Sequence, residues 1–209
     1  MYLIDAYNTT DKNRITHFIA ENSFADLVTY YDGSLCSNKV PFYYDGEKNM
    51  LFGHFGRNNP QLMDIEKADE VLVIFSGAHA YISPQWYESE NGVPTWNFQT
   101  IQVRGNAAIV DDKTLVEILA KLTKFHESQL PKQWTMSNLN SEKRKTMFDM
   151  ITGFKIEITD IKFKEKMSQM RDLDDQKSVI RALKKQNKSS SDAVSEIMNR
   201  NIESSKFTT

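Results

Sequence analysis

The chain has 209 residues, a net charge of −2 and a pI of about 6.1. That length holds one domain with a full core, or one with a small appendage, and the charge argues against a broad nucleic-acid footprint. A single cysteine, Cys36, excludes an internal disulfide; the N-terminus lacks a signal peptide's apolar run, and no stretch has the length of a membrane span, so a cytoplasmic soluble protein is expected.

Thr10 and Asp11 can cap a short helix over 11–22, in which Ile15, Phe18 and Ile19 recur at helical spacing. The runs 24–31, 39–44 and 49–55 are rich in β-branched and aromatic residues. Asp32-Gly33 and Asp45-Gly46 separate them as turns, so an antiparallel meander is expected. Pro41 marks the middle run as an edge, a bulge or a strand facing a ligand. A helix should start near Asn59, with Pro60 in its first turn. Val71–Phe75 then forms a buried strand.

From Val71 to Phe98 the chain carries Tyr81, Trp86, Tyr87, Trp96 and Phe98. Long connections in compact domains are usually functional or disordered, and this aromatic density argues against disorder. The stretch is therefore expected to be a structured lid or interface segment. Its aromatics suit core packing, the lining of a flat ring or a dimer face. A strand over 98–112 follows, bending at Gly105. Asp111-Asp112 caps a helix whose Leu115, Ile118, Leu119, Leu122 and Phe125 form one stripe. Ser141 caps another, and residues 154–169 alternate as the last strand. Two short amphipathic helices end the chain, one with Val179, Ile180 and Leu183, the other with Val194, Ile197, Met198 and Ile202. Helices this short are marginal alone and must dock on the body or on a partner subunit. The expected division is a domain over 1–170 and a helical tail over 171–209. Consecutive strands joined by tight turns favour a small, largely antiparallel barrel with peripheral helices.

The sequence has no Gly-x-Gly-x-x-Gly, Walker A, His-Glu-x-x-His, cysteine pair or Gly-x-Ser-x-Gly elbow. Anion-binding features remain. His54 and Arg57 flank a glycine turn before a helix, where free main-chain N–H groups and the helix dipole suit a phosphate; a solvated turn is the alternative. Lys162, Lys164, Lys166 and Ser168 alternate along one strand face, as a cationic wall or as the lysines that protect an edge strand. No spacing argument supplies a catalytic base beside Tyr81 or Tyr87.

The segments IFSGAHAYISPQWY and VPTWNF, together with LFGHFGRNNPQ and KEKMSQMR, closely resemble the PaiB-type family of FMN-binding negative transcriptional regulators. The resemblance spans nearly the whole chain. It implies an FMN-binding split β-barrel with an antiparallel, Greek-key-like sheet, related to pyridoxamine-phosphate oxidase and working as a homodimer with FMN at the subunit interface. Carried over by motif, His54, Arg57 and Asn58 face the phosphate, and Trp96 and Asn97 line the flavin or the interface. Lys164, Lys166, Ser168 and Gln169 close the site. Phe98 stands where the family usually has Tyr, and Met170 replaces an Asn. The implied function is a flavin-dependent regulator or oxidoreductase; the alternative is a regulator acting through protein or DNA partners. Neither charge nor a helix-turn-helix signal supports DNA binding.

Overall fold

A computed structural model describes residues 1–128 and 130–205, so the last four residues of the expected tail lie outside the described residues. The eight strands are β1 (Asn8–Thr9), β2 (Phe24–Tyr31), β3 (Ser34–Pro41), β4 (Tyr43–Asp45), β5 (Met50–Gly56), β6 (Val71–Ile82), β7 (Thr95–Ile109) and β8 (Ile151–Lys166). The helices are α1 (Lys12–Glu21), α2 (Gln61–Lys67), α3 (Asp112–Glu127), α4 (Ser141–Asp149), α5 (Leu173–Lys184) and α6 (Ser189–Ser205). The sheet order is β3-β2-β6-β7-β8-β5-β4, with β1 added against β8. The pairings of β2 with β3 and β6, of β5 with β4 and β8, and of β1 with β8 are all antiparallel. Since β3 and β4 end the hydrogen-bonded path, the sheet is not closed among the described residues.

Several expected elements change extent. The run 39–44 divides at Phe42, because Pro41 has no N–H to continue a ladder. β6 extends seven residues beyond the expected Phe75 to Ile82, and β7 begins at Thr95. The stretch from Val71 to Phe98 is thus two strand arms around a connection of residues 83–94, not a lid. Its period of two is visible near the end of β6, where Ala80 and Ile82 are buried while His79 and Tyr81 are exposed.

By contacts the chain forms two compact units. One comprises Lys12–Phe75 and Gln102–Ile161; the other comprises Met1–Asp11, Ser76–Ile101 and Lys162–Thr209. The first has an aromatic core. Phe42 meets Phe75 and Phe154 edge-on at 5.8 and 6.1 Å, and Phe55 lies 5.3 Å from Phe154. Gly53 permits this packing, since a Cβ there would lie 2.8 Å from the Phe154 ring. Gly105 likewise lets two backbones approach, for its Cβ would fall 2.3 Å from the Glu157 carbonyl oxygen. On α3, Ile118 and Leu122 cover Phe52 of β5.

The second unit is built around the tail. Val179, Ile180 and Leu183 of α5 and Val194, Ile197 and Met198 of α6 join Ala80, Ile82 and Met167 in one buried cluster. Trp86 and Tyr87 pack against it. Each fully buried aliphatic side chain contributes roughly 1.5–3 kcal/mol, so helices marginal in isolation are held by this face.

Candidate functional site

In the tail-containing unit, β8 presents two chemically opposite faces. Phe163 and Glu165 point inward, and Lys162, Lys164 and Lys166 point the other way and are half-buried. The Glu165 carboxylate is engaged on the inner side, accepting from Gln99 Nε2 at 2.6 Å and Asn201 Nδ2 at 2.8 Å. Across the strand, Lys164 Nζ donates to the Tyr2 carbonyl oxygen at 3.0 Å and lies near the rings of Tyr2 and Phe98. Lys166 Nζ donates to the Thr95 hydroxyl. Among the described residues neither ammonium meets a carboxylate. Burial, and then the neighbouring Lys164 charge, hold the Lys166 pKa below the usual lysine value. Two half-buried cations repelling one another form a site that an anion would stabilise.

Edge protection does not explain Lys164, which lies opposite Asn8 of β1. β8 lies between β7 and β5 in the sheet order and also carries β1, so it is an interior strand. Nearby, in the same unit, Trp96 is 53% exposed although it is a tryptophan in a strand. The Tyr81 ring meets it edge-on at 5.9 Å, and the His79 ring lies at 6.2 Å. An exposed aromatic shelf in a unit with an unneutralised lysine pair suits a flat ring bearing an anionic group.

The other residues expected in this group are structural as placed. Asn97 is fully buried; its amide donates to Ser168 Oγ at 2.9 Å and to Met198 Sδ at 3.4 Å. Ser168 does not continue the lysine face. It follows the end of β8, is buried, and has a left-handed φ of 60°, which turns its hydroxyl back to Asn97 Oδ1 at 3.1 Å. Gln169 closes the same turn, donating to the Glu165 and Ala6 carbonyls at 2.7 and 2.9 Å and accepting from Met167 N–H at 2.6 Å. These three lock β7, the turn and α6 together, leaving Lys164 and Lys166 half-buried and Trp96 exposed.

The turn after β5 belongs to the other unit. Arg57 donates from Nε to the Asp149 carbonyl at 2.6 Å and from Nη2 to the Ile151 carbonyl at 3.1 Å. It thereby caps the C-terminal end of α4, where a cation is favoured. Most of the expected free N–H groups are taken: Arg57, Asn59, Leu62 and Met63 donate theirs to main-chain carbonyls, Gln61 donates to Asn59 Oδ1 at 2.9 Å, and Pro60 has none, which leaves the N–H of Asn58 alone among the described residues of this turn without a hydrogen bond. Asn58 is exposed. His54 pairs with Gly153 in the sheet and is half-buried, and burial lowers its pKa.

The connection over 83–94 is held from α5. Asp175, 2% exposed, accepts from the main-chain N–H groups of Glu88 and Ser89 at 2.8 and 2.9 Å, and from Ser89 Oγ at 2.6 Å. These bonds depress its pKa. Arg171 lies 4.3 Å over the Tyr87 ring, and Gly92 leaves room for that ring. Trp86 and Tyr87 are therefore packing residues, while Ser83 caps a short helical turn. Thr95, Tyr2, His79 and Asp175 were not singled out from the sequence. Thr95 alone had a signal, as the residue between the Pro and Trp of the PTWN motif.

Among the described residues no group of three or more His, Cys, Asp or Glu side chains could hold a metal ion, and no helix is long and apolar enough to cross a membrane.

Comparison with known proteins matches residues 1–160 to a family described as "Putative FMN-binding domain". The protease synthase and sporulation protein PAI 2 of Bacillus subtilis is 32% identical over 200 residues, covering 95% of this chain and 96% of the relative. An uncharacterized Saccharomyces cerevisiae protein, YKL070W, is 32% identical over 109 residues, 48% of this chain and 64% of that one. Among solved structures, a FAD and heme binding protein from Mycobacterium smegmatis superposes with a TM-score of 0.63 at 14% identity, covering 82% of this chain and 79% of the other. The flavocytochrome Anf3 from Azotobacter vinelandii gives 0.58 at 12% identity, with 77% and 69% covered. At these identities the structures establish the fold alone.

Proposed function

The chain belongs to the PaiB-type FMN-binding domain family, with FMN as its cofactor, and from that premise we propose that Lys164 and Lys166 receive the flavin's phosphate. The observation that carries this assignment is the half-buried lysine pair on an interior strand with no carboxylate partner. A phosphate dianion supplies the missing charge, and hydrogen bonds between ionised groups are the strong ones. The Tyr81–Trp96 shelf offers an aromatic surface for the isoalloxazine ring. The residues present therefore fit FMN in charge and in shape of surface. When bound, FMN would supply hydride or electron transfer, and the protein's part is to bind, orient and tune it.

We further infer that the protein is a homodimer with the flavin at the subunit interface, acting in the cytoplasm as a flavin-dependent regulator or oxidoreductase. Exposed Tyr2, Tyr81 and Trp96 support an interface in the lysine-bearing unit, because aromatics are enriched at such surfaces. The free Cys36 fits a reducing compartment. The Bacillus relative's name associates it with protease synthase and sporulation, which favours regulation.

The test is a titration of the purified protein with FMN, followed by NAD(P)H oxidation. Stoichiometric uptake with turnover supports an oxidoreductase. Uptake without turnover supports the regulatory reading. A protein that takes up no FMN overturns the assignment.

A further inference from the structure

The unit with the aromatic core contains a cavity of about 210 Å³ that the flavin assignment does not use. Its walls are mainly apolar, with Leu119 of α3, Trp134, and Met147 and Phe148 of α4 among the lining residues. Three polar side chains also line it, His54 from β5, Thr123 from α3 and Arg144 from α4. His54 Nδ1 and Arg144 Nε are both enclosed and have no hydrogen-bond partner. An enclosed polar atom without a partner costs about 1–3 kcal/mol, and native folds rarely leave one without a reason. Both belong to residues that line the apolar cavity. Arg144 uses Nη2 to donate to the Leu139 carbonyl at 3.0 Å, which fixes the guanidinium, and no carboxylate pairs with it among the described residues.

We propose that this cavity is a binding site for a small organic monocarboxylate with a ring-sized apolar body. Arg144 supplies one fixed positive charge, enough for one carboxylate. His54, which burial keeps toward its neutral form, adds a polar ring to the lining without adding charge. The walls accept the apolar part. An apolar cavity of about 150 Å³ accommodates benzene; the remainder is worth roughly two waters' share of volume, which is room for a carboxylate. A whole flavin is far too large, and a phosphate dianion would leave charge uncompensated against apolar walls. Such a site would make the protein a sensor of an aromatic or branched acid, alongside its cofactor and independently of where the flavin binds.

The probe is benzoate, added to FMN-loaded protein and followed by calorimetry and by the 15N signals of the His54 ring. Saturable one-site binding that moves the His54 signals is expected, with benzyl alcohol weaker by at least about tenfold for lack of the charge. Arg144→Gln should weaken benzoate by a similar factor while leaving the flavin absorbance unchanged. Leu119→Trp, which fills the cavity, should abolish binding. No saturable binding, His54 signals that stay still, or benzoate and FMN displacing one another would each overturn the proposal. The His54 signals need no variant, so a misfolded Arg144→Gln protein would leave the test intact.

Discussion

Lys164 with Lys166, and Arg57, are the two cationic features that stand out in the sequence, and the fold uses them in opposite ways. The lysines sit half-buried on an interior strand, hold only a carbonyl and a hydroxyl, and repel one another. The arginine is exposed and holds the carbonyls at the end of α4 and the start of β8. Arg57 commits two donors to the carbonyls that end one element and begin the next, so it works for the fold; the lysines make one hydrogen bond each beside a like charge, and their remaining donors are poised for a ligand. Local sequence shows the residue type, and only the set of partners distinguishes the two roles.

The contrast can be broken by experiment. The largest effect is expected for the double substitution Lys164→Gln/Lys166→Gln. Losing two charge-assisted hydrogen bonds, at about 1.5–3 kcal/mol each, should weaken FMN binding by at least about 100-fold with little change in melting temperature. A titration by flavin fluorescence, with circular dichroism as the folding control, measures it, and unchanged affinity would remove the phosphate from this face. Arg57→Ala should do the reverse. It removes the α4 cap and is expected to cost about 1 kcal/mol of stability in urea unfolding while changing FMN affinity by less than about threefold. A large affinity loss in a fully stable protein would return the phosphate to the β5 turn.

The smallest effect is a pH dependence at His54. Burial lowers its folded-state pKa below the ordinary 6.5, so the unfolded chain takes up the proton first as pH falls. The stability contributed by the neutral ring is complete above pH 6.5 and declines below it, toward the folded-state value. Urea midpoints at pH 7.5 and 5.5 should differ more in the native protein than in His54→Phe. Equal differences would show that the ring is not protected from solvent.

Much of the fold was legible because its signals are local. The 24–31 strand and the Asp111-capped helix are set by alternation and capping, and both are found as expected. The Val71–Phe98 stretch was harder, since its glycine, prolines and aromatics resemble loop chemistry. Period-two burial at Ala80 and Ile82 depends on helices a hundred residues later. The site was legible in part. Lys164 and Lys166 could be paired by strand spacing, but nothing local reveals that Asn97 and Ser168 satisfy each other, or that Arg144 and His54 share a cavity. Those facts are set by long-range packing.

The way the tail cluster is assembled also bears on the order of events during synthesis. Ala80 and Ile82 leave the ribosome long before Val194 and Met198, the side chains that cover them. The aromatic-core unit ends at Ile161, so its residues are all made before the tail helices. The other unit must hold an apolar strand end uncovered until α6 has been translated, an interval of about 6–23 s for the 116 residues between Ile82 and Met198 at roughly 5–20 residues per second. A chain stalled before α6 would therefore expose a sticky strand end, and the helices that look like an appendage are what covers it.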